Sequence, residues 1–325
     1  MVNVKIAIIG ATGLVGRKIV SILNERKFPI SSLHLLSRSK KEVTIDGKLY
    51  KTEISEDFDF NKVDLVFGAS SKDSVRKLLG PISDSDAIFI DKSELLRMDK
   101  DIPLVVPEVN PHKINSETKV ICSPNCVAIA ISVILNNLRK KTKIERMFAS
   151  INESVSGAGT KALNALLNET KESLMSSVIQ PQFFEKEIAF NILPQVGEAL
   201  DDGKSEEEFK ITSETHKIME SKFPVNITVV RVPVMVGHSI ALHVMCDLEV
   251  EDAVKCLKSS DLFSVADEKG KYFTPRQSAN TDKILISRVR RANGILSMWV
   301  CYDNLRKGAA LNAVQIAELL DFKKK

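Results

Sequence analysis

Seven consecutive residues near the start of the chain, Gly10-Ala11-Thr12-Gly13-Leu14-Val15-Gly16, constrain its fold more than any others. Before them runs an apolar segment, residues 4–9, interrupted only by Lys5. After them, residues 13–24 place Leu14, Val15, Ile19, Val20, Ile22 and Leu23 at helical spacing. A buried strand that breaks into glycine and restarts as an amphipathic helix opens a βαβ unit. Glycines at G-x-x-G-x-x-G spacing let the backbone turn tightly and approach a pyrophosphate. The helix start offers that group N–H donors and a positive dipole end. The same spacing also serves a tight turn with no ligand, so its meaning depends on the rest of the chain.

The alternation continues through the first half. Residues 33–36, 64–67, 86–90 and 104–106 read as short buried strands, 74–79 as a helix between two of them, and 120–122 as one more strand. Strands alternating with helices predict a parallel sheet covered on both faces. Residues 127–138 follow as a helix that is apolar nearly all round in its first half, hence buried. Beyond about residue 143 the strands lengthen, at 146–151, 225–234, 238–248, 284–290 and 296–302, with helices at 160–175 and 251–257. That predicts a mostly antiparallel sheet with helices on one face. A last helix, 305–320, packs back on the first domain, and 201–208 is the one loose acidic stretch. The expected fold class is α/β: an N-terminal Rossmann-like, doubly wound parallel sheet plus an α+β domain with a mostly antiparallel sheet. The expected domains are 1–126 with 304–325, and 127–303.

The end of the second strand selects the dinucleotide. Enzymes that use NAD usually place Asp or Glu there to hold the ribose 2′-hydroxyl. Here it runs Ser37-Arg38-Ser39-Lys40-Lys41. With no carboxylate to repel a 2′-phosphate, Arg38 offers a bidentate donor and Ser37 and Ser39 offer hydroxyls. The reading is NADP, held by Gly10, Thr12, Gly13, Leu14, Val15, Ser37, Arg38 and Ser39.

Ser123-Pro124-Asn125-Cys126 closes a strand and opens the apolar helix. A thiol at a helix start has its anion favoured by the dipole, which makes Cys126 a candidate nucleophile; Cys122, inside the strand, reads as core. Of the five histidines, His238 follows Gly237 at a strand start, and His243 faces the other side of the same strand. Spacing alone does not choose between them.

Composition excludes more than it assigns. With 46 basic and 42 acidic residues, the net charge of +4 gives no footprint for nucleic acid. The only basic block is Lys323-Lys324-Lys325. No apolar run is long enough to span a membrane, and residues 1–6 show no basic region, apolar core and cleavage site, so a cytoplasmic address is expected. Five sparse cysteines argue against a disulfide framework. No second Cys/His pair lies near Cys122 and Cys126, so no metal is expected.

These segments together resemble the aspartate-β-semialdehyde dehydrogenase family over almost the whole chain. The resemblance is carried by Gly10–Gly16, Pro103-Leu104-Val105-Val106-Pro107-Glu108-Val109-Asn110, Ser123–Cys126, Ser154-Val155-Ser156-Gly157-Ala158-Gly159, Gly237-His238-Ser239 and Asp303-Asn304-Leu305-Arg306-Lys307-Gly308-Ala309-Ala310. It implies reversible conversion of aspartyl-4-phosphate and NADPH to aspartate-4-semialdehyde, phosphate and NADP+, within lysine/diaminopimelate, threonine and methionine biosynthesis. Cys126 is then the nucleophile that carries a thioester, and His238 the general base or acid, with Asn125 in the cysteine motif. By position, Arg231 matches the arginine for the substrate carboxylate and Glu207 the carboxylate for its ammonium. Arg97 and Lys210 match the phosphate-binding pair, and Ser156, Gly157 and Asn304 the nicotinamide-side contacts. The resemblance also implies a homodimer, with the α+β domain as the catalytic and dimerisation domain. Arg231 lies seven residues before His238, an odd spacing, so a break or bulge is expected at Gly237.

One departure stands out. The family has glutamine where this chain has Glu153. An ionised carboxylate there disfavours a thiolate and repels the substrate's own carboxylate. The expectation is a weaker enzyme with a higher pH optimum, unless Glu153 is protonated or pairs with the substrate ammonium. Two other readings compete. N-acetyl-γ-glutamyl-phosphate reductase shares the fold and chemistry but resembles Pro-Gly-Cys where this chain has Pro124-Asn125-Cys126. A catalytically weak paralogue acting as a binding subunit is supported only by Glu153.

Overall fold

A computed structural model describes residues 3–175 and 180–322; the lysine tail 323–325 lies outside them. The chain divides into two compact units, Met1–Asn125 with Ala309–Lys325, and Cys126–Gly308.

The first unit is built on β1 (Val4–Ile9), β2 (Ile30–Ser37), β3 (Glu42–Ile45), β4 (Lys48–Ile54), β5 (Leu65–Gly68), β6 (Ile88–Asp91) and β7 (Val120–Cys122). They form one sheet in the order β3-β4-β2-β1-β5-β6-β7, parallel except for the β3–β4 hairpin. Alternate residues of β1 serve different cores. Ile6 and Ile8 pack with α1 (Leu14–Glu25), while Ala7 and Ile9 pack with Val75, Leu78 and Ile82 of α2 (Lys72–Ser83). Burial on both faces is why the strand reads as a continuous apolar run. The chain visits β2 on one side of β1 and β5 on the other, so β1 marks the switch point of the sheet. Ligands bind at such points, beyond the carboxyl ends of the strands.

Two expectations change here. Residues 104–106 are buried but form only one isolated bridge, Leu104 to Cys122. Pro103 and Pro107 bracket them and have no N–H to extend a ladder. The β3–β4 hairpin was not expected, although its turn, Asp46-Gly47, has both residues at positive φ (48° and 77°), a strong hairpin signal.

The second unit opens with α3 (Cys126–Leu138), buried along nearly its whole length. Its strands are β8 (Arg146–Ser154), β9 (Val225–Val232), β10 (His238–Met245), β11 (Phe263–Ala266), β12 (Ile284–Ala292) and β13 (Ile295–Tyr302). The order is β11-β12-β13-β10-β8-β9, with the three inner pairings antiparallel and the two outer ones parallel. Helices α4 (Thr160–Met175), α5 (Glu206–Met219), α6 (Val250–Lys258) and the short α7 (Pro275–Ser278) complete it. The stretch read as loose becomes the start of α5 at Glu206, because Ser205 and Glu208 form a reciprocal capping box.

The expected helix 305–320 is in fact two pieces. A π-helical turn, Arg306–Ala310, precedes α8 (Leu311–Glu318). The return to the first unit begins at Ala309 rather than at 304. Just before it, Asp303 accepts from the N–H groups of Leu305 and Arg306, and Arg306 pairs with Asp282 of the second unit at 2.6 Å. Among the described residues no helix is long and apolar enough to cross a membrane.

Candidate active site

The first unit carries the glycine loop. Gly10 has φ +76°, and a Cβ there would lie 2.4 Å from the Ala69 carbonyl oxygen. At Gly16 a Cβ would meet the Gly10 carbonyl oxygen at 2.4 Å, so only glycine lets α1 start this close to β1. Gly13 is the N-cap of α1, with no side chain capping the helix and no acidic residue in its first turn. A pyrophosphate therefore fits as the acceptor for those N–H groups. At the end of β2, Arg38, Ser39, Lys40 and Lys41 are exposed with no carboxylate among them, which suits a 2′-phosphate. Ser37 departs from the expectation: it is buried, and its hydroxyl is 2.6 Å from the Ser39 carbonyl oxygen and 3.0 Å from Thr52 Oγ1. Thr12, Leu14 and Val15 are half-buried around the loop. In the same unit Arg97 is buried and donates to the Lys92 carbonyl at 2.7 Å, and Asn125 is buried just ahead of the cysteine.

In the second unit, strand register assembles a line of buried side chains. Arg231 on β9 pairs with Glu153 on β8. His238 on β10 lies one step beyond the Asn152–Ser239 pair, level with Glu153, and pairs in turn with Tyr302 on β13. Arg231 and His238 thus occupy different strands on either side of β8: of the two alternatives expected at Gly237, the chain takes the break and not the bulge. Gly237 shapes the turn into β10 instead: its φ is +95°, and a Cβ would collide with the Pro275 carbonyl oxygen at 2.4 Å.

Cys126, the first residue of α3, lies at the positive end of the helix dipole. None of the five cysteines forms a disulfide, and Cys126 alone is not fully buried. Burial pushes the Cys301 thiol up to about 12 and raises Cys246 and Cys256. The Cys126 sulfur, a Glu153 carboxyl oxygen and a His238 ring nitrogen lie within 4.8 Å of one another.

His238 is fully buried, and its Nδ1 accepts the backbone N–H of Ser154 at 3.0 Å. An Nδ1 that accepts cannot carry the ring proton, so the neutral ring is protonated on Nε2. Nε2 is buried and has no partner. Burial, and then the charge of Arg231, hold the imidazole well below its usual range. The ring is therefore neutral at working pH and offers Nε2–H as a donor, a narrower role than general base or acid. The same tautomer argues against a metal among Cys126, Glu153 and His238, because a ligating histidine donates its other N–H. Three other histidines have partners of their own: His34 with Glu53, His216 with the Phe223 carbonyl and His243 with Ser297.

Glu153 is buried and its Oε2 accepts from Arg231 Nη1 at 2.8 Å. Burial pushes its carboxyl up to about 8, against the pull of Arg231 and with the help of the facing Glu207 carboxyl. Burial thus favours the protonated alternative, in which the repulsion behind a higher pH optimum is absent. Arg231 also donates to the Ser154 carbonyl at 2.9 Å, and its Nε is buried without a partner. Gly157 keeps this corner open: a Cβ there would lie 2.9 Å from Arg231 Nη1 and 3.4 Å from His238 Nε2. Asn304 knits the surrounding loops, with Oδ1 accepting from Gly237 N–H at 3.0 Å and Nδ2 donating to Ser156 Oγ at 2.9 Å.

Cys126, Glu153, Ser156, Gly157, Glu207, Arg231, His238 and Asn304 thus converge within one unit. Lys210 pairs instead with Glu206, one turn back on α5, at 3.0 Å. Residue-by-residue reading missed Tyr302 and the backbone role of Ser154. It missed Gly308 too, where a Cβ would approach that of Cys126 to 2.9 Å. Only the cross-strand register brings them in.

Similarity to known proteins agrees with this geometry. The chain matches the family "Semialdehyde dehydrogenase, NAD binding domain" over residues 5–117 and "Semialdehyde dehydrogenase, dimerisation domain" over residues 135–307. An aspartate-semialdehyde dehydrogenase of Rickettsia conorii is 36% identical over 97% of each chain. The crystal structure of aspartate semialdehyde dehydrogenase II from Vibrio cholerae matches with a TM-score of 0.94, at 35% identity over 98% of each chain. The structure of that enzyme complexed with ASA matches equally well, with a TM-score of 0.94.

Proposed function

Because the chain belongs to the aspartate-semialdehyde dehydrogenase family, we propose that it interconverts aspartyl-4-phosphate and aspartate-4-semialdehyde through a thioester on Cys126. The observation that carries this reading is the sulfur, carboxyl and imidazole within 4.8 Å of one another beside a buried arginine. Family membership sets aside N-acetyl-γ-glutamyl-phosphate reductase.

The Cys126 thiolate, favoured by the helix dipole, attacks the acyl carbon, a C–S bond forms, and the carbonyl pair moves onto oxygen. His238 Nε2–H donates to that oxygen without giving up its proton. Collapse restores the carbonyl and breaks the bond to phosphate, leaving the thioester; two easier steps replace one hard displacement. Arg231, with Nε unpaired and Glu153 neutral, holds the substrate carboxylate. Glu207 takes its ammonium, and Lys210, on the same helix, exchanges Glu206 for the phosphate; Arg97 is assigned to the phosphate by its family position alone. The cofactor is NADP; the glycine loop and Arg38 would hold it, and in its reduced form it would supply the hydride that the thioester accepts. Ser156, Gly157 and Asn304 shape the side of the site toward the nicotinamide. When the C–S bond breaks, its electron pair returns to Cys126 and the aldehyde leaves.

The second unit matches a dimerisation domain and exposes Leu174, Met175, Phe190 and Ile192, the apolar side chains a second copy would cover. A homodimer at a cytoplasmic address completes the reading. The direct test is phosphate-dependent reduction of NADP+ with aspartate-4-semialdehyde, beside Cys126→Ala. The variant should lose at least about 1000-fold in kcat. Full turnover without the sulfur, or turnover independent of phosphate, ends the thioester reading.

A further inference from the structure

The line of side chains Arg231, Glu153, His238 ends on Tyr302, which the reaction above leaves unused. Tyr302 is fully buried on β13, and its ring meets the His238 imidazole edge-on, with centroids 5.8 Å apart. Gly308 shows where that ring lies relative to the nucleophile. A Cβ there would come within 2.9 Å of Cys126 Cβ and 3.3 Å of Tyr302 Cε2, so both flank one small space. The phenol hydroxyl is buried and forms no hydrogen bond. An unsatisfied buried hydroxyl costs about 1–3 kcal/mol, and phenylalanine would fill the same space without it.

The groups whose charge reaches this hydroxyl are Cys126 on α3, Glu153 on β8, Glu207 on α5 and the neighbouring Cys301. Burial first, and then these groups, hold the phenol well above its usual range, so it keeps its proton. His238 Nε2–H, on the adjacent strand, is a second buried donor with no acceptor. Two orphan donors beside one nucleophile, fixed in strand register, form a preorganised site for an oxygen that turns negative.

Resting on the thioester reading, we propose that Tyr302 is a catalytic residue whose O–H donates to the carbonyl oxygen of the substrate when Cys126 adds to its carbon. The sulfur pair forms the C–S bond and the carbonyl π pair moves to oxygen. That oxygen accepts from Tyr302 O–H and His238 Nε2–H, with no proton transferred. On collapse the pair returns to re-form the carbonyl, the C–O bond to phosphate breaks, and phosphate leaves with those electrons. The same two donors serve the oxyanion of the hemithioacetal.

Tyr302→Phe tests this, assayed beside Cys126→Ala. Removing the hydroxyl should lower kcat about 100-fold, leave KM for the semialdehyde within about twofold, and leave Tm equal or higher because an orphan group is gone. Alkylation of Cys126 by iodoacetamide, which creates no oxyanion, should keep its wild-type rate. A kcat within about threefold of wild type, with Cys126→Ala inactive, overturns the proposal and spares the nucleophile. A matching fall in kcat and alkylation rate also overturns it, since the hydroxyl would then be acting through the thiol. Turnover that survives in Cys126→Ala brings down the thioester reading itself.

Discussion

The glycine loop that follows β1 uses seven consecutive residues, whereas the cysteine site takes Cys126, Glu153, Glu207, Arg231, His238 and Tyr302 from six separate elements. The loop works through its backbone: glycines that admit close packing, and N–H groups at a helix start. The cysteine site works through side chains that only the order and register of β9, β8, β10 and β13 bring into line. A one-residue slip in any of those strands turns its contribution to the other face of the sheet. The first kind of site is robust and local. The second is demanding, because every member depends on a neighbour's register, and burial turns each unpaired group into a strain or a tool.

Arg231→Leu tests that dependence most severely. It removes the cation that Glu153 and the Ser154 carbonyl both use. In the complex Arg231 and the substrate carboxylate form a buried, hydrogen-bonded charge pair, and truncating one partner of such a pair costs roughly 2–5 kcal/mol, so kcat/KM for the semialdehyde should fall about 1000-fold. A loss below tenfold would mean that the substrate carboxylate is held elsewhere and that the line of side chains is scaffolding.

The same contrast explains what the sequence reveals. The loop, β1, α1 and the missing carboxylate beyond β2 are all legible, because periodicity and local chemistry determine them. His238 is not separable from His243 by spacing, and its tautomer is invisible until Ser154 N–H meets Nδ1. The odd interval between Arg231 and His238 calls for a break or a bulge, and spacing does not say which. With β8 lying between them, it has no meaning as spacing. Tyr302 gives no local signal at all: it is an aromatic residue in a run that reads as core, and only its orphan hydroxyl marks it out.

Glu153→Gln sharpens the comparison through pH. The carboxyl of Glu153 titrates at about 8 in the folded chain, against an ordinary 4.5. A raised carboxyl contributes stability that is fully present below the ordinary value and is lost as pH climbs to the folded one. The wild type should therefore weaken relative to the variant between about pH 4.5 and 8, by a few kcal/mol at most. Thermal unfolding across that range should show a Tm gap widening in the variant's favour, at roughly 2–4 °C per kcal/mol. In kinetics, ionised Glu153 competes with the substrate carboxylate for Arg231. The wild-type kcat/KM should thus fall as pH rises through about 8, a limb that the variant lacks. Parallel pH profiles for the two proteins would show that Glu153 is not the group that titrates.

The smallest expected effect lies in the glycine loop, where two positions three residues apart should behave differently. Gly16→Ala puts a Cβ 2.4 Å from the Gly10 carbonyl oxygen and 2.7 Å from Ala11 Cα, so the strand-to-helix turn must shift. Overpacking of that kind costs about 1–3 kcal/mol and should weaken NADPH binding with it. Gly13→Ala meets only the Gly10 carbonyl oxygen, at 3.3 Å, and Gly13 has φ −79°, which any residue adopts. It loses little more than a favoured N-cap, on the order of 0.5–1 kcal/mol, and NADPH affinity should stay within about threefold. Titrating NADPH into both variants decides whether the loop is read by close packing or by its glycine count. If Gly13→Ala does as much damage as Gly16→Ala, the backbone at Gly13 must itself approach the cofactor. The loop would then be as dependent on each of its members as the cysteine site is.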